Sequence, residues 1–217
     1  MSFTSVTIES RHLSNASNDS ADEVVRANLF HLLARAFSSP LEMKREHGDQ
    51  LRHLVPNLAP ALQEPALVLA QAWEDAFDDH QALSLAYARL FLGPFEILAS
   101  PYASTWLDPE QRLMGEVSQQ VAQAYTAAGL APGSPGDAPR EVPDHVALEW
   151  EFMYFLTYQF ITTGEQRWIE QRNRFFLSHV VHWMPSLALA IEQSAQHAFY
   201  DVLAGFLKVA LEEIETS

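Results

Sequence analysis

The sequence predicts an all-α fold, a single globular bundle of roughly nine or ten helices. Apolar residues recur at three- and four-residue spacing over most of the chain after residue 21. No segment alternates apolar and polar residues between turn signals, as a half-buried strand would. No repeat of solenoid length is present. A chain of 217 residues, 48% of them hydrophobic, is long enough to bury one sizeable core.

The first helix is predicted over residues 21–37. Ser20 followed three residues later by Glu23 has the spacing of a capping box, and apolar residues then continue at helical spacing. Ser39-Pro40 offers the start of the next helix, with a capping hydroxyl and a proline in the first turn.

Prolines divide the next segment of the chain. Pro60 and Pro65 predict a connection, after which ALVLAQAWEDAF resumes helical spacing. Another helix is predicted over residues 82–92, where Gly93 and Pro94 end it.

An apolar loop separates this helix from the second half of the chain. Residues 90–108 carry only two charges. A helix is predicted after it, over 109–129, with Leu113, Val117, Val121 and Tyr125 along one stripe. From residue 144 the chain is apolar on nearly every face, which predicts a buried helix. Further helices are predicted over 168–176, 183–191 and 199–214.

The predicted domain organisation is simple. Residues 1–20 are rich in Ser, Thr and Asn without periodicity, which indicates a flexible tail. Residues 21–217 form one helical domain. LAPGSPGDAPREVP, at 130–143, holds four prolines and two glycines and predicts a hinge, with a sub-boundary between two halves at this point.

Composition excludes several classes of protein. There is no cysteine, which removes disulfides, thiolate metal ligands and cysteine nucleophiles. No apolar run is long enough to cross a bilayer, and the N-terminus lacks the basic start and apolar centre of a secretory signal, so a cytoplasmic location without stable membrane insertion is predicted. The formal charge of -15 repels nucleic acid and favours a basic peptide as partner.

Catalytic and cofactor motifs are missing. Neither GxxxxGK[ST] nor GxGxxG occurs, so nucleotide hydrolysis has no visible machinery. Two pairs have the spacing to share a helix face, His145 with Glu149 and His179 with His182, but neither has an identifiable third ligand. We therefore predict no metal, no cofactor and no enzyme activity.

Three motifs remain, and their order and spacing are distinctive. They are Tyr87-x-x-Leu90-Phe91-x-Gly93-Pro94, then Pro101-x-x-Ser104-x-Trp106-Leu107, then Pro143-Asp144-His145 with Glu149 and Met153 downstream. Together they resemble the TorD/DmsD/NarJ group of redox-enzyme maturation chaperones, over residues 21–217. His179-x-x-x-Trp183 and His197-x-Phe199-Tyr200 are similar to the C-terminal pattern of that group.

The resemblance implies an all-helical cytoplasmic chaperone. Such a protein binds the twin-arginine signal peptide of a molybdenum-cofactor oxidoreductase and delays export until the cofactor is inserted, so its partners would be that leader and the catalytic subunit. The alternative is an assembly factor that binds the folded apo catalytic subunit, or its cofactor, instead of the leader. We expect a monomer, with a domain-swapped dimer formed through residues 130–143 as the alternative state.

The resemblance also implies a set of signal-peptide-binding residues. They are Leu90, Phe91, Pro101, Tyr102, Ser104, Trp106, Asp144, His145 and Glu149. The apolar and aromatic members would pack on the apolar part of the leader, Asp144 would face its arginines, and His145 would support that charge or bind the peptide. The structural alternatives stay open: Phe91, Phe95 and Trp106 as core residues, and Asp144 as the cap of its own helix.

Overall fold

The computed structural model describes residues 18–93, 97–110, 112–130 and 142–216, with side chains from residue 21 onward. Ten α-helices and no strand occur in these ranges, which confirms the predicted all-α fold. In chain order the helices are α1 (Asn18–Ala36), α2 (Glu46–Leu54), α3 (Pro60–Ala76), α4 (His80–Tyr87), α5 (Ser104–Leu107), α6 (Glu116–Ala127), α7 (Val146–Thr163), α8 (Arg167–Phe175), α9 (Val181–Ser194) and α10 (Ala198–Thr216). None of the described helices is both long enough and apolar enough to cross a membrane.

The helices form two compact units, each built from two separate stretches of chain. The first unit contains the described residues up to Ala34 together with Tyr102–Val180, and the second contains Arg35–Pro101 together with the described residues from Val181 onward. The predicted hinge at 130–143 lies largely in 131–141, outside the described residues, as does most of the predicted tail. The helices on either side of that hinge, α6 and α7, both belong to the first unit.

Helix α7 packs against α1, α6 and α8 in the core of the first unit. Trp150 stacks on Phe30 of α1 with ring centroids 5.6 Å apart. Phe152 packs against Tyr125 of α6 at 4.6 Å and against Phe175 of α8 at 5.0 Å. The helix ends at Gly164, whose φ of 70° lies in the left-handed region that glycine adopts without strain. The prediction of a buried helix after residue 144 is confirmed.

Helices α2, α3 and α10 build the core of the second unit around Trp73. The Trp73 ring meets Phe199 of α10 edge-on at 5.3 Å and His47 of α2 at 5.6 Å. Its indole N–H donates to the carbonyl of Lys44 at 3.1 Å, so the one polar atom of this buried side chain is satisfied.

Two proline-based predictions in the second unit are wrong. Pro60 does begin α3, but Pro65 lies inside that helix and not in a connection. The missing N–H of Pro65 costs the helix one backbone hydrogen bond, and the helix continues through it to Ala76. Ser39-Pro40 starts no helix: the Ser39 carbonyl accepts from the N–H of Glu42 at 2.8 Å in a turn, and α2 begins only at Glu46.

The helix predicted over 109–129 is wrong in its first part, since α6 begins at Glu116. The Asp108 carboxylate accepts from the N–H of Glu110 at 2.8 Å, which closes a local turn. Met114 then has a φ of 60°, which no right-handed helix allows. As a result Leu113 lies outside the helix and is exposed, while Val121 and Tyr125 are buried as the stripe predicts.

Candidate functional site

The second and third motifs lie side by side in the first unit. Tyr102 and His145 form an isolated antiparallel bridge, and their rings meet edge-on with centroids 5.2 Å apart. The N–H of Ala103 donates to the carbonyl of Asp144 at 3.0 Å. We call this joint between residues 102–107 and the start of α7 the clasp.

The Asp144 carboxylate is the centre of the clasp. It is 0% exposed. Its Oδ2 accepts from the backbone N–H of Ser104 at 2.8 Å, and its Oδ1 accepts from the Ser118 hydroxyl at 2.7 Å. The Asp144 side chain, two residues before the start of α7, therefore binds both α5 and α6.

Asp144 does not cap its own helix, α7, as the structural alternative expects; it caps α5. The N-cap of α7 is His145, whose Nδ1 accepts from the N–H of Ala147 at 3.2 Å. Asp144 instead satisfies the first N–H of α5. The His145 imidazole accepts from an N–H at the start of α7 that has no partner within the helix. The Asp144 carboxylate is therefore not needed as the cap of α7, and it accepts from α5.

The donors to Asp144 are neutral, and no cation in the described part of the chain pairs with it. Tyr125 lies close to this charge, and its hydroxyl donates to the Pro143 carbonyl at 2.8 Å. Burial, followed by the charges of Glu149 and Asp144, raises the pKa of Tyr125 well above its ordinary value. The site is thus electronegative around a buried carboxylate.

Glu149 forms a second buried polar contact. It is 0% exposed, and its Oε1 lies 2.6 Å from Nε2 of His179, in the π-helical turn Phe176–Val180 that follows α8. Burial lowers the pKa of His179, but the charge and hydrogen bond of Glu149 and the charge of Asp144 outweigh it, so that the pKa of His179 is raised. Sequence spacing pairs Glu149 with His145 and His179 with His182, and it therefore misses this contact.

The described residues of the first motif belong to the second unit, where Leu90 and Phe91 are buried. Leu90 and Phe91 lie in a π-helical turn, Ala88–Leu92, that extends α4 and ends at Gly93 as predicted. Phe91 is 2% exposed, and its ring packs against Phe37, Tyr87 and Tyr200. Pro101 is buried as well. Phe95 is outside the described residues.

Of the nine predicted site residues, two keep exposed surface in this structure. These are Tyr102 and Trp106, both half-buried, and both on the segment that the clasp holds. Ser104 is fully buried, and its hydroxyl has no hydrogen-bond partner among the described residues. Ser118 and Tyr125 belong to the site without any motif to mark them, since they lie on an ordinary amphipathic helix. No cluster of three or more His, Asp or Glu that could hold a metal occurs in the described ranges.

The known proteins with similar sequences include two chaperones. The chain is 25% identical over 199 residues to the chaperone protein TorD of Aliivibrio fischeri, covering 86% of this chain and 91% of that protein. It is 25% identical over 133 residues to the Tat proofreading chaperone DmsD of Salmonella typhi, covering 61% of this chain and 60% of DmsD.

A crystal structure from Archaeoglobus fulgidus, described as a redox enzyme maturation protein, shares the fold, with a TM-score of 0.54 and 19% sequence identity over 88% of this chain and 94% of that one. The sequence model of the nitrate reductase delta subunit family matches residues 55–188. This chain therefore belongs to the nitrate reductase delta subunit family, which confirms the resemblance to the TorD/DmsD/NarJ group that its motifs indicate.

Proposed function

We propose that this protein is a cytoplasmic chaperone that binds the twin-arginine signal peptide of a molybdenum-cofactor oxidoreductase and assists its maturation before export. The observation that carries the proposal is the clasp, in which the buried Asp144 carboxylate holds the partly exposed Tyr102 and Trp106 beside α7. The names of the relatives, a TorD chaperone and a Tat proofreading chaperone, support the same function.

Asp144 would act on the leader through its charge and through the order it imposes. The carboxylate is 0% exposed and holds Ser104 and Ser118, so a direct two-point contact with a guanidinium would require the clasp to open. No described cation forms an ion pair with Asp144. Because its surroundings screen charge less than water does, it attracts an arginine at the surface more strongly than a solvated carboxylate would. The chain's overall charge of -15 adds to this attraction at longer range.

Tyr102 and Trp106 would provide the direct contact with the apolar part of the leader. Aromatic side chains offer a large contact area for few rotatable bonds, which is why they dominate binding energies at interfaces. Leu90, Phe91 and Pro101 would act only as core residues that keep the second unit folded. Truncating Phe91 would open a cavity that costs about 3 to 5 kcal/mol, so loss of binding in that variant would report unfolding.

The test is a calorimetric titration with the twin-arginine leader of the oxidoreductase encoded nearest to this protein. We expect binding that weakens about tenfold or more for Trp106→Ala, for Asp144→Asn and for a leader with Lys-Lys in place of the arginines. Tyr158→Ala, which removes another exposed aromatic ring of the first unit, is the matched control and should leave the affinity unchanged.

Two outcomes would contradict the proposal. Equal binding of the arginine and Lys-Lys leaders would exclude twin-arginine recognition at this site. If the folded protein does not bind the leader but does bind the leaderless apo catalytic subunit, the assembly-factor alternative is favoured. A circular-dichroism melt of each variant distinguishes loss of contact from loss of fold.

A further inference from the structure

An open groove of about 690 Å³ lies in the second unit between α3 and the start of α10. Its apolar lining includes Val68 and Ala72 of α3 and Phe199 and Val202 of α10. None of the nine predicted leader-binding residues takes part in it. A ligand bound in this groove would therefore be independent of the signal peptide.

Helix α3 has apolar residues on two faces. Leu69 and Trp73 point into the core and are buried. Leu67 and Val68, on the groove side, remain 42% and 49% exposed. Burial of the apolar surface that these two side chains still expose would favour the binding of a partner that covers it.

A chain of polar contacts runs along one edge of the groove. Arg52 donates to Glu74 at 2.7 Å and to the side-chain carbonyl of Gln71 at 3.2 Å. The Gln71 amide in turn donates to Oδ1 of Asp75 at 2.8 Å. Glu74 neutralises Arg52, whereas Asp75 pairs with no cation among the described residues. This edge of the groove is therefore negative.

His197 supplies a donor at the end of the groove formed by α10. Its Nδ1 accepts from the N–H of Phe199 at 3.2 Å and so caps α10. Burial lowers the pKa of His197, although the charge of Asp79 opposes this effect, and the lowered pKa and the acceptor role of Nδ1 both favour the neutral ring. A neutral ring with Nδ1 as acceptor carries its proton on Nε2, which can donate to a carbonyl of a partner.

We propose that this groove binds an amphipathic α-helix of a partner protein, with the apolar face of that helix on Leu67 and Val68 and a Lys or Arg against Asp75. A groove between two helices is the shape that accepts a third helix. The end of the bound helix at His197 would be its C-terminus, whose last carbonyls need donors. A second copy of this chain is disfavoured as occupant, since each copy carries a charge of -15.

The test uses a synthetic, acetylated and amidated helical peptide with Leu along one face and Lys along its flank, added to the ¹⁵N-labelled full-length protein. We expect chemical-shift changes concentrated in residues 67–75 and 197–202, and binding about tenfold weaker for Val68→Glu and for Asp75→Asn. Two matched controls, Leu189→Glu at an exposed apolar site of α9 and Glu212→Gln at an exposed acid of α10, should bind like the wild type.

Three results would overturn the inference. Shift changes that map to other residues would place the peptide elsewhere. Equal affinity for an analogue with Glu in place of every Lys would remove the role of Asp75. Self-association in sedimentation experiments that Val68→Glu abolishes would assign the groove to a second copy of the chain.

Discussion

The Glu149 carboxylate and the His179 imidazole lie 2.6 Å apart inside the first unit, Glu149 on α7 and His179 in the π-helical turn after α8. Glu149 is fully buried, and the side chain of His179 is 11% exposed. A buried carboxylate is costly unless a charged and hydrogen-bonded partner compensates it. The imidazole provides that compensation when it is protonated, and the stabilisation by this pair therefore depends on pH.

We predict that the contribution of His179 to stability falls as the pH rises. Its pKa in the folded protein is raised above the ordinary value of 6.5, so the folded state holds this proton to higher pH than the unfolded chain does. The stabilisation is complete below the unfolded pKa and is lost as the pH rises through the folded one. The difference in free energy of unfolding between the wild type and His179→Gln should therefore shrink in urea titrations as the pH rises above 6.5, the ordinary pKa of the imidazole.

The control for this experiment is His182→Gln, three residues further along the chain and exposed. Because its side chain is exposed, this variant should change the free energy of unfolding less than His179→Gln does at acidic pH. A difference for His179→Gln that stays constant with pH would show that the imidazole acts by packing alone.

Two buried serines should respond in opposite ways to loss of the hydroxyl. Ser118 donates to Asp144, so Ser118→Ala leaves a buried carboxylate oxygen without its donor, and we expect a cost of about 1 to 3 kcal/mol. The Ser104 hydroxyl has no partner among the described residues, so Ser104→Ala should be neutral or stabilising. Chemical denaturation of both variants measures the contrast, and equal losses of stability would contradict the hydrogen-bond pattern of the clasp.

Much of the fold could be predicted because helix periodicity and helix ends are local signals. Gly93 ends the turn after α4, and the apolar run after residue 144 is α7, as expected. The wrong start of α6 shows the limit of local signals. Apolar spacing continues through Leu113, but the turn closed by Asp108 and the positive φ of Met114 decide the conformation.

The site was less predictable because its contacts are long-range. Asp144 reaches Ser118 across 26 residues and Ser104 across 40, and no spacing rule identifies such partners. The role of His145 as the cap of α7 was hidden for another reason: aspartate is the commoner cap, so capping preference selects the neighbouring Asp144. Each of the two units is built from two separate stretches of sequence, and this division depends on tertiary packing. Local composition does not indicate it.

Two buried tyrosines offer a second matched comparison. Tyr125 donates to the Pro143 carbonyl at 2.8 Å, so Tyr125→Phe should cost about 1 kcal/mol or more. The Tyr200 hydroxyl is buried without a hydrogen-bond partner among the described residues, so Tyr200→Phe should be neutral or raise the melting temperature. Calorimetric melts of both variants give the answer. A clear destabilisation by Tyr200→Phe would indicate that the hydroxyl has a partner in solution.

The buried ion pair between Arg172 and Glu23 should stabilise the protein more than an exposed pair does. Arg172 is 3% exposed, and both its terminal nitrogens donate to Glu23 on α1, with Nη1 also 3.3 Å from the Thr157 hydroxyl. Arg172→Ala leaves Glu23 without its cation and opens a cavity at α8, so we expect a loss of about 3 to 5 kcal/mol. Arg112→Ala, which removes the exposed pair with Glu110, should cost no more than about 1 kcal/mol. Urea titrations compare the two, and losses of similar size would mean that burial adds nothing to the Arg172 contact.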